Sequence, residues 1–400
     1  MGLREIRLAS DSARNETRPV LLACRQVEQL GADLLRFAWS RTCNCWSRLS
    51  SFFFRFRGLF SVGSFLALLW ALSPAAWSQD QQLPPLIREG QEAIDAGDFT
   101  RAAHAFERAR QLAPDSKEVS GGLLLSYLQE GRLGEAEEIG QAAVARWPKD
   151  AELVHWLGLV YFKQHRNDLA LTQLRRAESL DASQYEVHFD VALVLLSDDN
   201  YSDAANELEK ALKIDPKAAL AHVLLGRAYQ NTNRSVQAVE QFQTALRIDP
   251  DLPLGHYHLG FAYASLGRNN EAIAEYEKEL QRSPENPTVL QQLGHCQVEA
   301  GDWKSAVAHL KKATQIDPQN SDAFYDLGKA LLLQGDADGA EPALRRAIAL
   351  TPSNPSPHYQ LARALEKMGN KEEAKRELET FSVLKKAQPV TGGMAAGPIQ

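Results

Sequence analysis

Between residues 219 and 250 apolar side chains return with the rhythm of a helix. Leu225, Gly226 and Tyr229 stand at i+3, i+4 and i+7 from His222, the spacing of one face of an α-helix. Ala238, Phe242 and Ala245 mark a second such stripe. Asn233 lies between the two stripes and Pro250 follows the second. Proline removes a donor and biases its predecessor away from helix, so it closes the second segment. The pattern predicts two short amphipathic helices joined by a turn.

The same pattern recurs every 34 residues. Prolines stand at Pro114, Pro148, Pro216, Pro250, Pro284, Pro318 and Pro352, and only Ala182 breaks the series. With that proline counted as position 32, nine units begin at Leu83, Lys117, Ala151, Tyr185, Ala219, Pro253, Pro287, Ser321 and Pro355. Alanine holds position 20 throughout, from Ala102 to Ala374, and position 8 is small except at Leu124. Small residues at these places predict two helices in close approach. Position 15 is glycine in six units and His165, Asp199 or Asn233 in the others, all residues that tolerate the left-handed backbone of a helix end. Ser116, Asp150, Asn286, Asn320 and Asn354 are placed to cap the helix that follows.

A 34-residue period with small residue, aromatic, alanine and proline at these offsets, as in LLGRAYQNTNRSVQAVEQFQTALRIDP, resembles the tetratricopeptide repeat family. The resemblance covers Leu83 to about Lys386. The first and last units depart most, with Glu89, Phe381 and Lys386 off the pattern, as expected of terminal repeats. The resemblance implies an all-α fold, a right-handed α-solenoid of helix-turn-helix hairpins. It also implies binding of other proteins rather than catalysis.

Composition changes the picture only at the amino end. The chain is 44% hydrophobic and 24% charged with a net charge of −7, ordinary for a folded protein. Residues 1 to 78 hold ten arginines, no lysine and five acidic residues, which leaves the remainder at a net charge of −12. That balance argues against nucleic acid as a partner. Arg55 and Arg57 precede an apolar run from Gly58 to Leu72, then Pro74 and Ala76-Trp77-Ser78. This is the three-part pattern of a secretory signal cut after Ser78, and the run is short for a membrane span. Two readings, a cleaved signal and an uncleaved anchor touching the membrane, carry the repeats out of the cytoplasm to a periplasmic or secreted location; a merely hydrophobic stretch is the third. The expected organisation is a basic disordered leader at 1–57, a signal or anchor at 58–78, a linker at 79–82, nine repeats at 83–386 and a disordered tail at 387–400. The leader is long for a signal, so the working protein is expected to start downstream of Met1.

Candidate chemistry is sparse. His188, His222, His256 and His358 share position 4. Ligands of one ion converge within about 2 Å, whereas equivalent places on stacked helix pairs stand on the order of 10 Å apart, so this ladder reads as structural. Cys296 sits where other units place alanine and reads as a small buried residue. The repeats contain no HExxH, phosphate-cradling glycine loop or zinc spacing. No catalytic residue, metal site or cofactor is expected.

In the family, the inward face of the first helices carries the ligand at positions 2, 5, 9, 12 and 13. Carried over, the resemblance implies a binding groove lined by Leu159, Phe162, Phe189, Leu193, Leu196, Val223, Tyr257 and Phe261, with Arg227, Lys329 and Arg363 toward its carboxyl half. Such an apolar patch rimmed by charge suits an extended peptide or an amphipathic helix. The carboxylate clamp known in the family needs Lys and Asn at positions 5 and 9 and Asn at 6 of the next unit, and no successive units here carry that set. The expected function is a non-enzymatic scaffold in envelope assembly or export. The alternatives are an accessory subunit of a separate enzyme and a homo-oligomer joined through the end near Phe381, Val383 and Leu384.

Overall fold

The computed structural model describes residues 74 to 387, and among them every regular element is an α-helix. The helices fall into two compact units divided between Leu180 and Asp181. The first holds α1 (Pro74–Asp95), α2 (Phe99–Leu112), α3 (Lys117–Glu130), α4 (Leu133–Arg146), α5 (Ala151–Lys163) and α6 (Asn167–Leu180). The second begins with α7 (Tyr185–Ser197), α8 (Tyr201–Ile214), α9 (Ala219–Asn231), α10 (Ser235–Ile248), α11 (Gly255–Ser265) and α12 (Asn269–Arg282). It continues through α13 (Pro287–Ala300), α14 (Trp303–Ile316), α15 (Ser321–Gln334), α16 (Ala337–Leu350), α17 (Pro355–Lys367) and α18 (Lys371–Ala387). Each 34-residue unit of the sequence is one hairpin of consecutive helices.

Helix α1 starts at Pro74, a favourable first helical residue, and runs through 79–82, the stretch expected to be a linker, and through Pro84 and Pro85. The leader, the apolar run at 58–72 and the tail from 388 onward lie outside the described residues. No helix among the described residues is long and apolar enough to cross a membrane.

The turn chemistry follows the sequence closely. All nine residues at position 15 have positive φ, from 56° at Asp199 to 93° at Gly335. The five expected caps, Ser116, Asp150, Asn286, Asn320 and Asn354, each accept a first-turn backbone N–H through the side chain, worth about 1 kcal/mol apiece. At the start of seven of the second helices, position 16 does one of two jobs. Asp98, Asn200, Asp302 and Asp336 cap with their side chains. Arg132, Arg234 and Arg268 make no cap bond; their guanidinium carbons lie 4.1, 4.0 and 4.6 Å from the ring centres of Tyr127, Tyr229 and Tyr263. These tyrosines in turn reach the preceding repeat, where Tyr127 and Tyr229 donate to Glu107 and Glu209, and Gln243 donates to Tyr263. One tyrosine thus links two hairpins.

Position 8 is small because the side chain at position 24 of the same hairpin lies over it. A methyl built on Gly226 would stand 2.6 Å from the Phe242 ring, and one on Gly294 would stand 2.5 Å from Leu310. Leu124, the exception, is fully buried. Its partner at position 24 is Gly140, where a methyl would meet Leu124 at 3.2 Å and Leu157 at 3.0 Å. The bulk has changed sides, and the contact between helices persists.

Candidate functional site

The residues expected to line a binding face do not share one environment. In the first unit Leu159 and Phe162, on α5, are half-buried. In the second, Phe189 and Val223 at position 5 are only 8% and 7% exposed, and the Phe189 ring stacks on Tyr185 with centroids 5.4 Å apart. They belong to the core more than to a contact surface. Leu193 and Leu196 on α7, Arg227 on α9 and Tyr257 on α11 are half-buried, and Phe261 is exposed at 38%. Apolar surface therefore remains at positions 9 and 12, one and two turns beyond the buried ring at position 5.

Around Tyr257 the aromatic contacts are dense. Its ring centre lies 6.4 Å from Phe261, 6.0 Å from Tyr276 and 5.4 Å from His258. His258 stacks on Phe242 at 5.5 Å. Burial, followed by the nearby Arg227 charge, pushes the His258 imidazole down to about 3. It is a neutral aromatic filler over the physiological range.

The carboxyl half of this face is polar, and its side chains engage one another. Gln291 donates to Asp326 at 2.8 Å, and His295 Nδ1 lies 3.1 Å from the other oxygen of Asp326. All three are buried. They occupy positions 5, 9 and 6, where the clamp of the family would hold a ligand, but here they tie α13 to α15. Burial works against charge on His295, yet the bond to Asp326 and the charges of Asp326 and Glu299 together hold the imidazole above its ordinary value. Lys329 donates to Glu299 at 2.6 Å; burial works against its charge, but that bond together with the negative groups around it keeps the ammonium above the usual range. Arg363 donates to Gln360 at 3.0 Å. Sequence reading found the two cations and missed the Gln291, His295 and Asp326 triad, because its members are drawn from two helices.

The histidine ladder has a geometry that the sequence left hidden. His188, His222, His256 and His358 each place Nδ1 within 2.6 to 2.9 Å of a side-chain oxygen nineteen residues later, on Glu207, Gln241, Glu275 and Glu377. His188 and His222 also set Nε2 3.1 Å from the carbonyls of Ala182 and Pro216 in the preceding loop. Gln184 and Ala218, the residues before α7 and α9, provide no side-chain cap. In these repeats the histidine pins loop, first helix and second helix together. The signal was available: every histidine at position 4 has Glu or Gln at position 23. Cys296 is buried, and burial, then Asp326, pushes its thiol up to about 12.

Comparison with known proteins agrees with the hairpin architecture. Family models described as tetratricopeptide repeat match residues 87–151, 157–219 and 292–355, then 195–259 and 331–382, and a third matches 255–286. The chain is similar to the BBSome complex member BBS4 homolog of Drosophila melanogaster, 27% identical over 141 residues, 35% of this chain and 27% of that protein. It is also similar to anaphase-promoting complex subunit 3 of Schizosaccharomyces pombe, 26% identical over 146 residues, 36% of this chain and 22% of that one. The matched stretches thus span about a quarter of the curated relatives. Among solved structures, YrrB, described as a TPR protein with an unusual peptide-binding site, aligns with a TM-score of 0.41 at 23% identity over 46% of this chain and 95% of that one. Repeats matched over most of the chain, each folded as one helical hairpin, make this protein a member of the tetratricopeptide repeat family.

Proposed function

We propose that this protein is a non-enzymatic scaffold whose second unit takes up a segment of a partner polypeptide along α7, α9 and α11. The observation that carries the reading is the apolar surface left on these first helices by Phe261, Tyr257, Leu193 and Leu196, in a family that binds proteins. The polar groups at the carboxyl half are engaged with each other, so the apolar contact lies on the helices before them. An extended peptide or an amphipathic helix fits such a face. The working location is outside the cytoplasm, on the strength of the signal-like pattern at 58–78.

A photo-cross-linking amino acid placed at Phe261 tests the face. It is expected to yield a discrete adduct with another polypeptide, and the same group at Val236, 61% exposed on α10, is expected to yield none. Equal labelling from both places would remove the assignment. Mass spectrometry of the native amino terminus tests the location, with Gln79 as the expected first residue.

A second reading is self-association through α18, where Val383 is 66% exposed and Phe381 packs on Tyr359 with ring centres 5.3 Å apart. Sedimentation showing a monomer at high concentration would dispose of it.

A further inference from the structure

The repeat that begins at Pro253 combines two departures from the common pattern. Position 27 is alanine in seven repeats, Ala245 and Ala313 among them, but here it is Glu279. The Glu279 side chain is buried, with 2% exposed. The first helix of this repeat also lacks a polar cap. Helix α11 starts behind Leu254, whose φ of 58° is left-handed and whose side chain makes no cap bond, whereas α13, α15 and α17 each start behind an asparagine that accepts a first-turn N–H.

The two departures meet at one hydrogen bond. The backbone N–H of Tyr257 donates to Glu279 Oε2 at 3.3 Å. Tyr257 is the third residue of α11, so its N–H is one that a capping side chain would serve. A carboxylate there also faces the positive end of the helix dipole. Glu279 therefore stands in, from the second helix of the hairpin, for the cap that the loop does not supply. The strained backbone at Leu254 needs surroundings that hold it, and this bond is part of them.

We propose that Glu279 is a positioning residue for the binding face: its carboxylate caps α11 and thereby sets Tyr257 and Phe261. The proposal rests on the reading that this face takes a partner polypeptide. The backbone of Tyr257 is held by Glu279, and its ring packs on Tyr276, one turn earlier on the same helix α12. Main chain and side chain of one residue are thus fixed to one neighbour. Without the bond the first turn of α11 frays, and Tyr257 loses its place beside Phe261.

The test is hydrogen–deuterium exchange of the full chain, read on the peptide 253–263, in the wild type, E279A and E279Q. Alanine is what seven repeats carry, so E279A is expected to fold. Exchange at Tyr257 is expected to quicken about 3- to 30-fold in E279A, the range that loss of a cap implies, with α9 and α13 unchanged. E279Q, which keeps an acceptor oxygen, is expected to return most of the protection. The cross-link from Phe261 is expected to weaken in E279A and to recover in E279Q. Unchanged exchange at Tyr257 in E279A, or E279Q as fast as E279A, would overturn the proposal. A wild type that shows the expected exchange pattern but no cross-link would retire the binding face and leave the cap standing.

Discussion

Exchanging Leu124 and Gly140 tests whether the hairpin packs by a conserved sum of volumes across positions 8 and 24. Leu124 is fully buried, and the methyl that a residue at 140 would add lies 3.2 Å from it. Leu124→Gly empties a leucine-sized space, costing about 3 to 5 kcal/mol as truncation and about 1 kcal/mol more for glycine within a helix. Gly140→Leu forces a side chain against Leu124 and Leu157, costing about 1 to 3 kcal/mol, offset in part by about 1 kcal/mol of helix propensity. If the two sites were independent, the double variant would lose roughly 4 to 8 kcal/mol, the sum of these terms. If they share one space, the double variant recreates the arrangement of Gly158 and Leu174 in the next hairpin. It is then expected within about 2 kcal/mol of the wild type, a coupling of roughly 2 kcal/mol or more. Because a repeat array does not unfold as one unit, native-state hydrogen exchange at α3 and α4 is the appropriate assay. A double variant as weakly protected as the sum of the singles would refute the volume argument.

Other outcomes follow from single sites. Leu254→Gly is expected to raise the urea midpoint by an amount equivalent to about 0.5 to 1 kcal/mol, since glycine carries a φ of 58° without strain; a lower midpoint would show that the leucine side chain matters more than the backbone. The His258 imidazole, depressed to about 3 against an ordinary 6.5, contributes stability that is present above pH 6.5 and lost as pH falls. By linkage, unfolding at pH 5 takes up a proton on this residue and stability drops by about 2 kcal/mol relative to neutral pH. His258→Phe is expected to remove that part of the acid sensitivity, and an unchanged slope between pH 7.5 and 5 would contradict the assignment. Arg234→Ala removes the stack on Tyr229 and is expected to cost about 0.5 to 1 kcal/mol, whereas Arg234→Asp supplies the cap seen at Asp302 and is expected to recover it in urea unfolding. Peptide mapping after iodoacetamide at pH 8 is expected to leave Cys296 unmodified until denaturant is added, because its thiol is buried and held near 12.

Residues that answer to the local backbone were legible in the sequence. A left-handed turn restricts one residue, so the column Gly97 to Gly369 announces nine turns even where His165, Asp199 and Asn233 replace glycine. An N-cap restricts one residue as well, and Asn286 or Asn320 could be read as caps from their place after the proline. What stayed hidden are constraints shared by two residues 16 to 35 positions apart. Leu124 looks like an exception until Gly140 is set beside it. Position 4 looks like a slot for a ring until Glu207, Gln241, Glu275 and Glu377 are read with their histidines. The expected face divides for the same reason: a family register says which way Phe189 and Val223 point, but their cover comes from neighbouring helices, which bury them and leave Phe261 out. Glu279 is the sharpest case. Read down its own column it is a charged residue in place of alanine, a fault in the core. Read together with Leu254 and the amide of Tyr257 it replaces a missing cap. A repeat protein therefore writes its fold in single columns and its individuality in pairs of columns, and a departure in one column is a reason to search for its partner before assigning it chemistry.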